Sequence, residues 1–107
     1  MVARNTLLDY CQQLLNPSAF RDYGPNGLQV EGIAEIHHLV TGVTASLALI
    51  EKAIDLKAQA ILVHHGLFWQ NESSVIRGVK RKKLELLLKH EISLFAYHLP
   101  LDLHREF

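Results

Sequence analysis

The sequence predicts a single α/β domain over residues 1–107, with crossover helices on both faces of a parallel or mixed sheet. Three apolar runs of strand length, at residues 39–43, 60–63 and 92–97, support this prediction. Each run is nearly continuous in hydrophobicity, as expected for strands that are covered on both faces. Helical patterns separate the runs, so strands and helices alternate, which favours a parallel sheet with right-handed crossovers.

The elements before the first run are a helix, a loop and a short extended segment. Apolar residues recur at helical spacing from about residue 6 to residue 15, and Asn16-Pro17 is a stop signal. Residues 22–27 concentrate turn formers, among them the Asn26-Gly27 pair, which predicts an ordered loop. Residues 28–30 then form a short extended segment.

Two predicted helices connect the three strands. The first covers about residues 46–57, where Thr44 or Ser46 is available as its N-cap, and the second covers about residues 79–90. Their predicted buried residues are Leu47, Ile50, Ala53 and Ile54 in the first helix and Leu84, Leu87 and Leu88 in the second. In parallel sheets of this kind, ligands bind beyond the carboxyl ends of the strands, so a functional site is expected at that edge.

The composition argues against several classes of partner. Lys plus Arg and Asp plus Glu are both 11, so no net charge gathers nucleic acid or an acidic membrane. The chain contains no apolar stretch of the length that a signal peptide or a membrane span requires. The single cysteine, Cys11, lies among leucines and is interpreted as a small buried apolar side chain. We therefore expect a cytoplasmic protein in a reducing compartment, without a membrane partner.

Four side chains of the types that bind metals follow two neighbouring strands. His64 and His65 come directly after the run 60–63, and His98 and Asp102 stand in the equivalent place after the next run. Because the carboxyl ends of parallel strands meet at one edge, this pattern predicts a metal site there. The alternative is structural: the histidine pair caps its strand through backbone carbonyls, and Asp102 caps a helix.

The residue types and their spacing favour a pair of ions over a single ion. Neighbouring residues of an extended strand point to opposite sides, so His64 and His65 serve two neighbouring ions more easily than one. Imidazole and carboxylate ligands suit zinc, iron, manganese or nickel, and the sequence does not separate these metals. Two ions roughly 3.5–4 Å apart can activate water, which predicts hydrolysis of a phosphorylated or nucleotide-like substrate.

Two further segments are candidates for contact with that substrate. Lys80-Arg81-Lys82-Lys83, with Arg77 nearby, can attract phosphate or form an ordinary solvated helix face. Phe68 and Trp69 follow the histidine pair and can stack on a base or close the core. No Gly-rich phosphate loop, His-Glu-x-x-His, Gly-x-Ser-x-Gly or Cys-x-x-Cys motif competes with the histidines.

The remaining histidines are weaker candidates. His37 and His38 precede the first parallel strand at its amino end, which favours ordinary surface or edge positions. His90 ends a helix, where a cation interacts favourably with the helix dipole. His104 lies in the tail and is considered only as a group behind the site.

Four segments of the sequence resemble the amino-terminal half of the Nif-three-like family, whose members are often labelled GTP cyclohydrolase I type 2 homologues. The segments are Asp22-Tyr23-Gly24-Pro25-Asn26-Gly27-Leu28-Gln29-Val30-Glu31-Gly32, Thr41-Gly42-Val43-Thr44-Ala45-Ser46, Val63-His64-His65-Gly66-Leu67-Phe68-Trp69 and Tyr97-His98-Leu99-Pro100-Leu101-Asp102. The resemblance implies an α/β fold that binds two divalent metal ions. His64, His65 and Asp102 match family ligands, and His98 matches a residue beside the metals. It also implies a homo-oligomer, since family members resemble hexameric rings with metal sites that face an interior cavity.

The resemblance further implies that the fold and the site are incomplete in this sequence. The family draws a further His and Glu from a carboxyl-terminal half that the sequence does not contain. A sheet of three strands offers little area to cover, and residues 103–107 carry no helix stop signal, which agrees with a fragment or a truncated reading frame. Because few protein ligands are available for two ions, a further possibility is that the chain binds metal only weakly. This stands as a third alternative beside the two functions described next.

The leading hypothesis is a metal-dependent hydrolase of a nucleotide-like substrate, similar to GTP cyclohydrolase I type 2 homologues. In this interpretation His64, His65 and Asp102 position the two ions, and His98 is a catalytic residue that orients water or the substrate. The alternative is a non-catalytic metal-binding module with a regulatory or assembly role. Turnover separates the two, because metal without hydrolysis favours the alternative.

Overall fold

The sheet of this protein combines three parallel strands with one antiparallel edge strand. The structure, a computed structural model, describes residues 1–19, 21–70 and 72–102. Its strands are β1 Val2–Ala3, β2 Gly27–Val30, β3 Glu35–Ile36, β4 Leu39–Thr44, β5 Ala60–His65 and β6 Ser93–Ala96. Its helices are α1 Arg4–Leu15, α2 Leu47–Asp55, α3 Gly78–Lys89 and α4 Leu99–Asp102, and a 3-10 turn covers Pro17–Ala19.

The main sheet has the strand order β2-β6-β5-β4. β4, β5 and β6 are parallel, with Leu39 opposite Ala60 and Ala60 opposite Ser93. β2 pairs antiparallel with β6, and its register shifts between Leu28 and Val30. β1 and β3 form a separate antiparallel pair. The mixed α/β class is therefore confirmed, and the extended segment predicted after the turn-rich loop is an edge strand of the sheet.

The helices divide the core into two clusters, one on each face of the sheet. α2 and α3 cover one face, where the core includes Ile50, Ala53, Ile61, Leu84, Leu87 and Leu94. α1 covers the other face, where the core includes Cys11, Leu15, Phe95 and Tyr97. The sequence predicts crossover helices on both faces of the sheet. In the structure both crossover helices, α2 and α3, lie on one face. Successive right-handed crossovers that advance in one direction across a sheet return on the same face, so α1 has to cover the other.

Local signals explain where the helices begin and end. The Ser46 hydroxyl accepts a hydrogen bond from the Leu49 backbone N–H at 3.1 Å, so Ser46 is the N-cap of α2. α1 ends at Asn16, which adopts the left-handed conformation with φ 46° and donates its N–H to the Gln12 carbonyl. Within the part of the chain that the structure describes, no helix has both the length and the apolar character needed to span a membrane.

Candidate metal centre

The carboxyl edge of the parallel strands carries the three histidines of the predicted site. β5 ends in His64 and His65, and β4 ends beside it with Thr44 opposite His65. β6 pairs with β5 up to Ala96, and His98 follows two residues later. Most apolar residues of β5 and all those of β6 are buried, and Val63 lies opposite Ala96, so the two strands end at the same level. Strand pairing thus brings distant parts of the sequence together at one edge.

The three imidazole rings form one compact cluster. One ligand atom from each of His64, His65 and His98 lies within 4.8 Å of the other two. The ring centroid of His64 lies 4.5 Å from that of His65 and 4.6 Å from that of His98. We expected neighbouring strand residues to point apart, but His64 and His65 lie at the very end of β5 and their rings converge. Nitrogen donors on one tetrahedral ion lie about 3.4 Å apart, so a shared ion would draw the three ring nitrogens closer together.

Asp102 joins the cluster from α4. Its Oδ1 lies 2.8 Å from His64 Nε2. This contact has the distance but not the direction of a hydrogen bond, and the buried His64 Nε2 forms no hydrogen bond with any described residue. A buried polar nitrogen without a partner is costly. A cation between the imidazole and the carboxylate would satisfy both groups, so the donor set fits a metal ion.

Asp22, which the sequence analysis leaves in a turn-rich loop, is the hydrogen-bonding centre behind the cluster. Its Oδ1 lies 2.8 Å from His98 Nδ1 and accepts the Tyr23 N–H at 2.7 Å. Its Oδ2 accepts the Leu99 N–H at 2.7 Å and the Asn26 side-chain amide at 3.0 Å. The side chain of Asp22 is only 2% exposed. Burial raises the pKa of Asp22, but these hydrogen bonds outweigh it and lower the pKa to about 2.

The ionised Asp22 determines how His98 can act. A carboxylate is only an acceptor, so His98 Nδ1 donates to it and Nε2 is the ring nitrogen that is left for the cluster. This is the arrangement in which metal-binding histidines are commonly held, with a carboxylate behind the ring. Sequence reasoning missed Asp22 because an Asp followed by Tyr-Gly-Pro-Asn-Gly is sufficiently explained by turn formation. The four-residue spacing of Asp22 and Asn26 is the only signal, and it is weak.

Residues 22–29, which comprise the turn-rich loop and the first residues of β2 and which we call the clamp loop, hold both histidine segments. Asn26 Oδ1 accepts the His98 backbone N–H at 2.7 Å. Gln29 Oε1 accepts the Leu67 N–H at 2.9 Å, just after the histidine pair, and Tyr23 accepts the Gln70 N–H through its carbonyl. The clamp loop therefore links the segment after β5 to the segment after β6.

A cavity of about 500 Å³ opens beside the cluster. Its lining residues are Thr44, His65, Gly66, Leu67, Trp69, Glu72, Val79, Lys80, Lys83 and His98. The Trp69 ring stands edge-on to His98, with 5.2 Å between the centroids. Phe68 packs against the core beneath α2 and α3. The two aromatic residues thus differ in role, since Phe68 closes the core and Trp69 lines the cavity.

The other histidines that the structure describes lie away from this cluster. His37 and His38 are exposed before β4, and their backbone N–H groups donate to Gln59 Oε1. His90 is exposed at the C-cap of α3. His104 lies outside the described residues. The structure brings together His64, His65, His98 and Asp102, and their assignment as metal ligands and catalytic group stays a prediction.

The fold and the site together define an α/β domain that presents a histidine cluster, backed by a buried carboxylate, at the carboxyl edge of its parallel strands. The family model described as Duf34/NIF3 (NGG1p interacting factor 3) matches residues 2–106. The chain belongs to this family, which confirms the resemblance seen in the sequence.

Relatives of known sequence carry the name GTP cyclohydrolase 1 type 2 homolog. The one from Vibrio cholerae is 58% identical over 92 residues, which are 86% of this chain and 36% of the relative. The one from Escherichia coli K12 is 53% identical over 104 residues, which are 96% of this chain and 42% of the relative. The chain therefore spans about two fifths of the length of these relatives.

Solved structures agree with this assignment. Protein ybgI, described as of unknown function, matches with a TM-score of 0.96 and 50% identity over 98% of this chain and 42% of its own. TTHA1606 from Thermus thermophilus matches with a TM-score of 0.93 and 38% identity over 98% of this chain and 43% of its own. The fold of this segment is therefore shared with much longer proteins.

Proposed function

We propose that this chain supplies His64, His65, His98 and Asp102 to a divalent-metal centre that hydrolyses a nucleotide-like substrate. The observation that supports this most is the convergence of three imidazole donors within 4.8 Å of one another. The contact of 2.8 Å between His64 Nε2 and Asp102 Oδ1 adds a carboxylate to the set. Imidazoles and a carboxylate suit zinc, iron, manganese or nickel.

Each side chain has a defined part in the proposal. His64, His65 and Asp102 hold the ions. His98, interpreted from sequence as a catalytic residue that orients water or substrate, also faces the other two rings and is held by Asp22. We therefore extend its proposed part to metal binding through Nε2. When bound, the ions would supply Lewis-acid stabilisation and activate water for hydrolysis.

We keep two ions in the proposal, as the resemblance implies. Four protein donors cannot fill two four-coordinate shells, so water, substrate or further protein groups must complete them. His65, His98 and Trp69 line the cavity, so the proposed reaction would take place inside it. Hydrolysis then takes place where the substrate is held against the carboxyl edge of the sheet.

The test is metal content and turnover in paired double variants. His64→Ala/His65→Ala removes two donors, whereas His37→Ala/His38→Ala removes an exposed pair at the amino end of β4 and is the matched control. We expect the first variant to bind zinc or manganese at least tenfold more weakly, with the control unchanged, and hydrolysis of GTP to follow metal binding. Circular dichroism checks that both variants fold.

The outcomes separate the candidate functions. Metal bound by His64 and His65 without turnover of nucleotides supports a non-catalytic metal-binding module with a regulatory or assembly role. Equal metal binding by the two double variants contradicts the proposed centre. Weak, substoichiometric metal in the unaltered chain means that further ligands beyond this segment are needed to retain the ions.

We also propose that the chain works as a cytoplasmic homo-oligomer. Large apolar side chains are exposed, among them Val43 at 68% and Leu88 at 61%, and burial against another copy would remove them from water. The free thiol of Cys11 agrees with a reducing compartment. Analytical ultracentrifugation tests the assembly, and a species of 12.1 kDa at all concentrations contradicts it.

A further inference from the structure

The four consecutive basic residues at the start of α3 fall into two pairs with different surroundings. Arg81 Nη1 lies 3.8 Å from Glu85 Oε2, and Lys82 Nζ lies 3.6 Å from Glu85 Oε1. The side chains of Arg81 and Lys82 are 67% and 55% exposed. Lys80 and Lys83 are half-buried and line the cavity beside the histidines. Spacing of three residues places Lys80 and Lys83 on one side of the helix.

Neither of the two cavity lysines, Lys80 and Lys83, is paired with a carboxylate within 4.0 Å among the described residues. Lys80 Nζ lies 3.5 Å from the Ser73 carbonyl and 4.6 Å from the centroid of the Phe68 ring. These neutral contacts hold the ammonium group in place without cancelling its charge. The cavity wall formed by α3 is therefore positively charged.

The same cavity has the proposed metal donors on another wall. His65 and His98 line it, and Trp69 forms a third wall. A volume of about 500 Å³ lies within the range of small-molecule sites. One ligand can thus reach the histidine cluster and the two ammonium groups at once.

We propose that Lys80 and Lys83 form a phosphate subsite that binds the polyphosphate of a nucleotide-like substrate beside the histidine cluster. This inference rests on the proposed function for its substrate, but binding of the anion itself needs only the lysines. Ammonium groups bind phosphate as point charges and hydrogen-bond donors. Glu72 lines the same cavity and opposes the anion.

The experiment compares two double variants that each remove two neighbouring positive charges. Lys80→Ala/Lys83→Ala changes the cavity pair, and Arg81→Ala/Lys82→Ala changes the pair that faces Glu85 and is the control. The probe is inorganic triphosphate, titrated into metal-free protein by calorimetry. The fluorescence of Trp69, the single tryptophan of the chain, reports binding in the cavity itself.

We expect the cavity variant to bind triphosphate at least tenfold more weakly, and the control to stay within about twofold of the unaltered chain. Lys80→Arg/Lys83→Arg keeps the charge and should retain binding, which separates loss of the subsite from loss of fold. Glu72→Gln should bind several times more tightly, because it removes the opposing charge. Guanosine, which lacks phosphate, should bind equally to all these variants.

Two results overturn the inference: no binding of triphosphate by the unaltered chain at millimolar concentration, or equal weakening in the two double variants. Either result leaves the metal centre untouched, because the metal content of the His64→Ala/His65→Ala variant tests that centre separately. Conversely, loss of the proposed metal binding leaves the triphosphate result in metal-free protein unchanged. The two proposals therefore fail independently.

Discussion

The pairing of Asp22 with His98 decides which nitrogen of that imidazole faces the cluster. The carboxylate is almost fully buried and accepts four hydrogen bonds, so it is fixed in position and ionised. It cannot follow the ring if His98 turns, and it cannot donate a proton to it. Among the described residues, Asp22 forms no hydrogen bond with His64 or His65. Its side chain therefore acts on the proposed centre through His98.

Asp22→Asn tests this effect. Asparagine keeps the size of the side chain but replaces one acceptor oxygen with a donor, which conflicts with the N–H groups around it. We expect divalent-metal affinity to fall about 10- to 100-fold and stability to fall by about 1–3 kcal/mol. Competition with a chromophoric chelator and urea unfolding measure the two effects. Asp9→Asn, on the exposed side of α1, is the control, and equal metal affinity in both variants contradicts the prediction.

Cys11 allows a second test at this scale. Burial raises the pKa of the Cys11 thiol, and the nearby Tyr97 hydroxyl lowers it by a smaller amount. A raised pKa means that the unfolded chain loses this proton first, so the thiol contributes a fall in stability as the pH rises through the ordinary thiol pKa of 9.0. We expect slow reaction with a disulfide reagent at pH 8 in the folded protein and fast reaction in urea. Equal rates would contradict the burial.

The elements differ in how much of them the sequence predicts. Near-continuous apolar runs predict β4, β5 and β6, because strands buried on both faces leave a strong signal. β2 has only four residues and a mixed pattern, and its pairing with β6 depends on a contact more than sixty residues away. α4 is a single turn that contains Pro100. Short elements of this kind are specified by tertiary contacts rather than by local periodicity.

The site is predictable to the extent that strand order determines it. His64, His65 and His98 meet because parallel strands end at one edge, a rule that needs only the strand positions. Asp22 and Asn26 reach the site from a loop whose residue types alone favour a turn, and Gln29 reaches it from the short edge strand β2. The run 80–83 predicts one charged patch. Only the orientation of α3 in the structure shows that Lys80 and Lys83 line the cavity, whereas Arg81 and Lys82 face Glu85.

The N-cap of α2 gives a prediction at the scale of the element. Ser46→Ala removes the acceptor of the Leu49 N–H, and we expect it to lower the free energy of unfolding by about 1 kcal/mol. Ser74→Ala, at an exposed position outside the helices, is the control. Urea unfolding measures the difference. Metal affinity should be unchanged in both variants, because among the described residues the Ser46 hydroxyl bonds to Leu49 and to none of the proposed ligands.

At the scale of the whole molecule, metal binding should be coupled to stability. A cation that binds only the folded chain stabilises it by about 2.7 kcal/mol when its concentration is 100 times the dissociation constant. We expect the melting temperature to rise with added zinc or manganese and to fall again with a chelator. His64→Ala/His65→Ala should melt at one temperature throughout, and a parallel rise in that variant contradicts binding at the cluster.

The chain spans about two fifths of the length of its relatives, and within the described residues β5, β6 and the clamp loop position the three histidines. The cavity lies on the same edge of the sheet. Ion binding, anion binding and assembly can therefore be measured separately in this chain, and each measurement has its own variant.

The clamp loop affects the order in which the site can assemble during synthesis. Its hydrogen bonds to His98 and Leu99 join residues 72 to 77 positions apart. Asp22 leaves the ribosome early, but its partner His98 is in place only after β6 has emerged and joined the sheet. The proposed cation can therefore meet all three imidazoles together only after the sheet has closed.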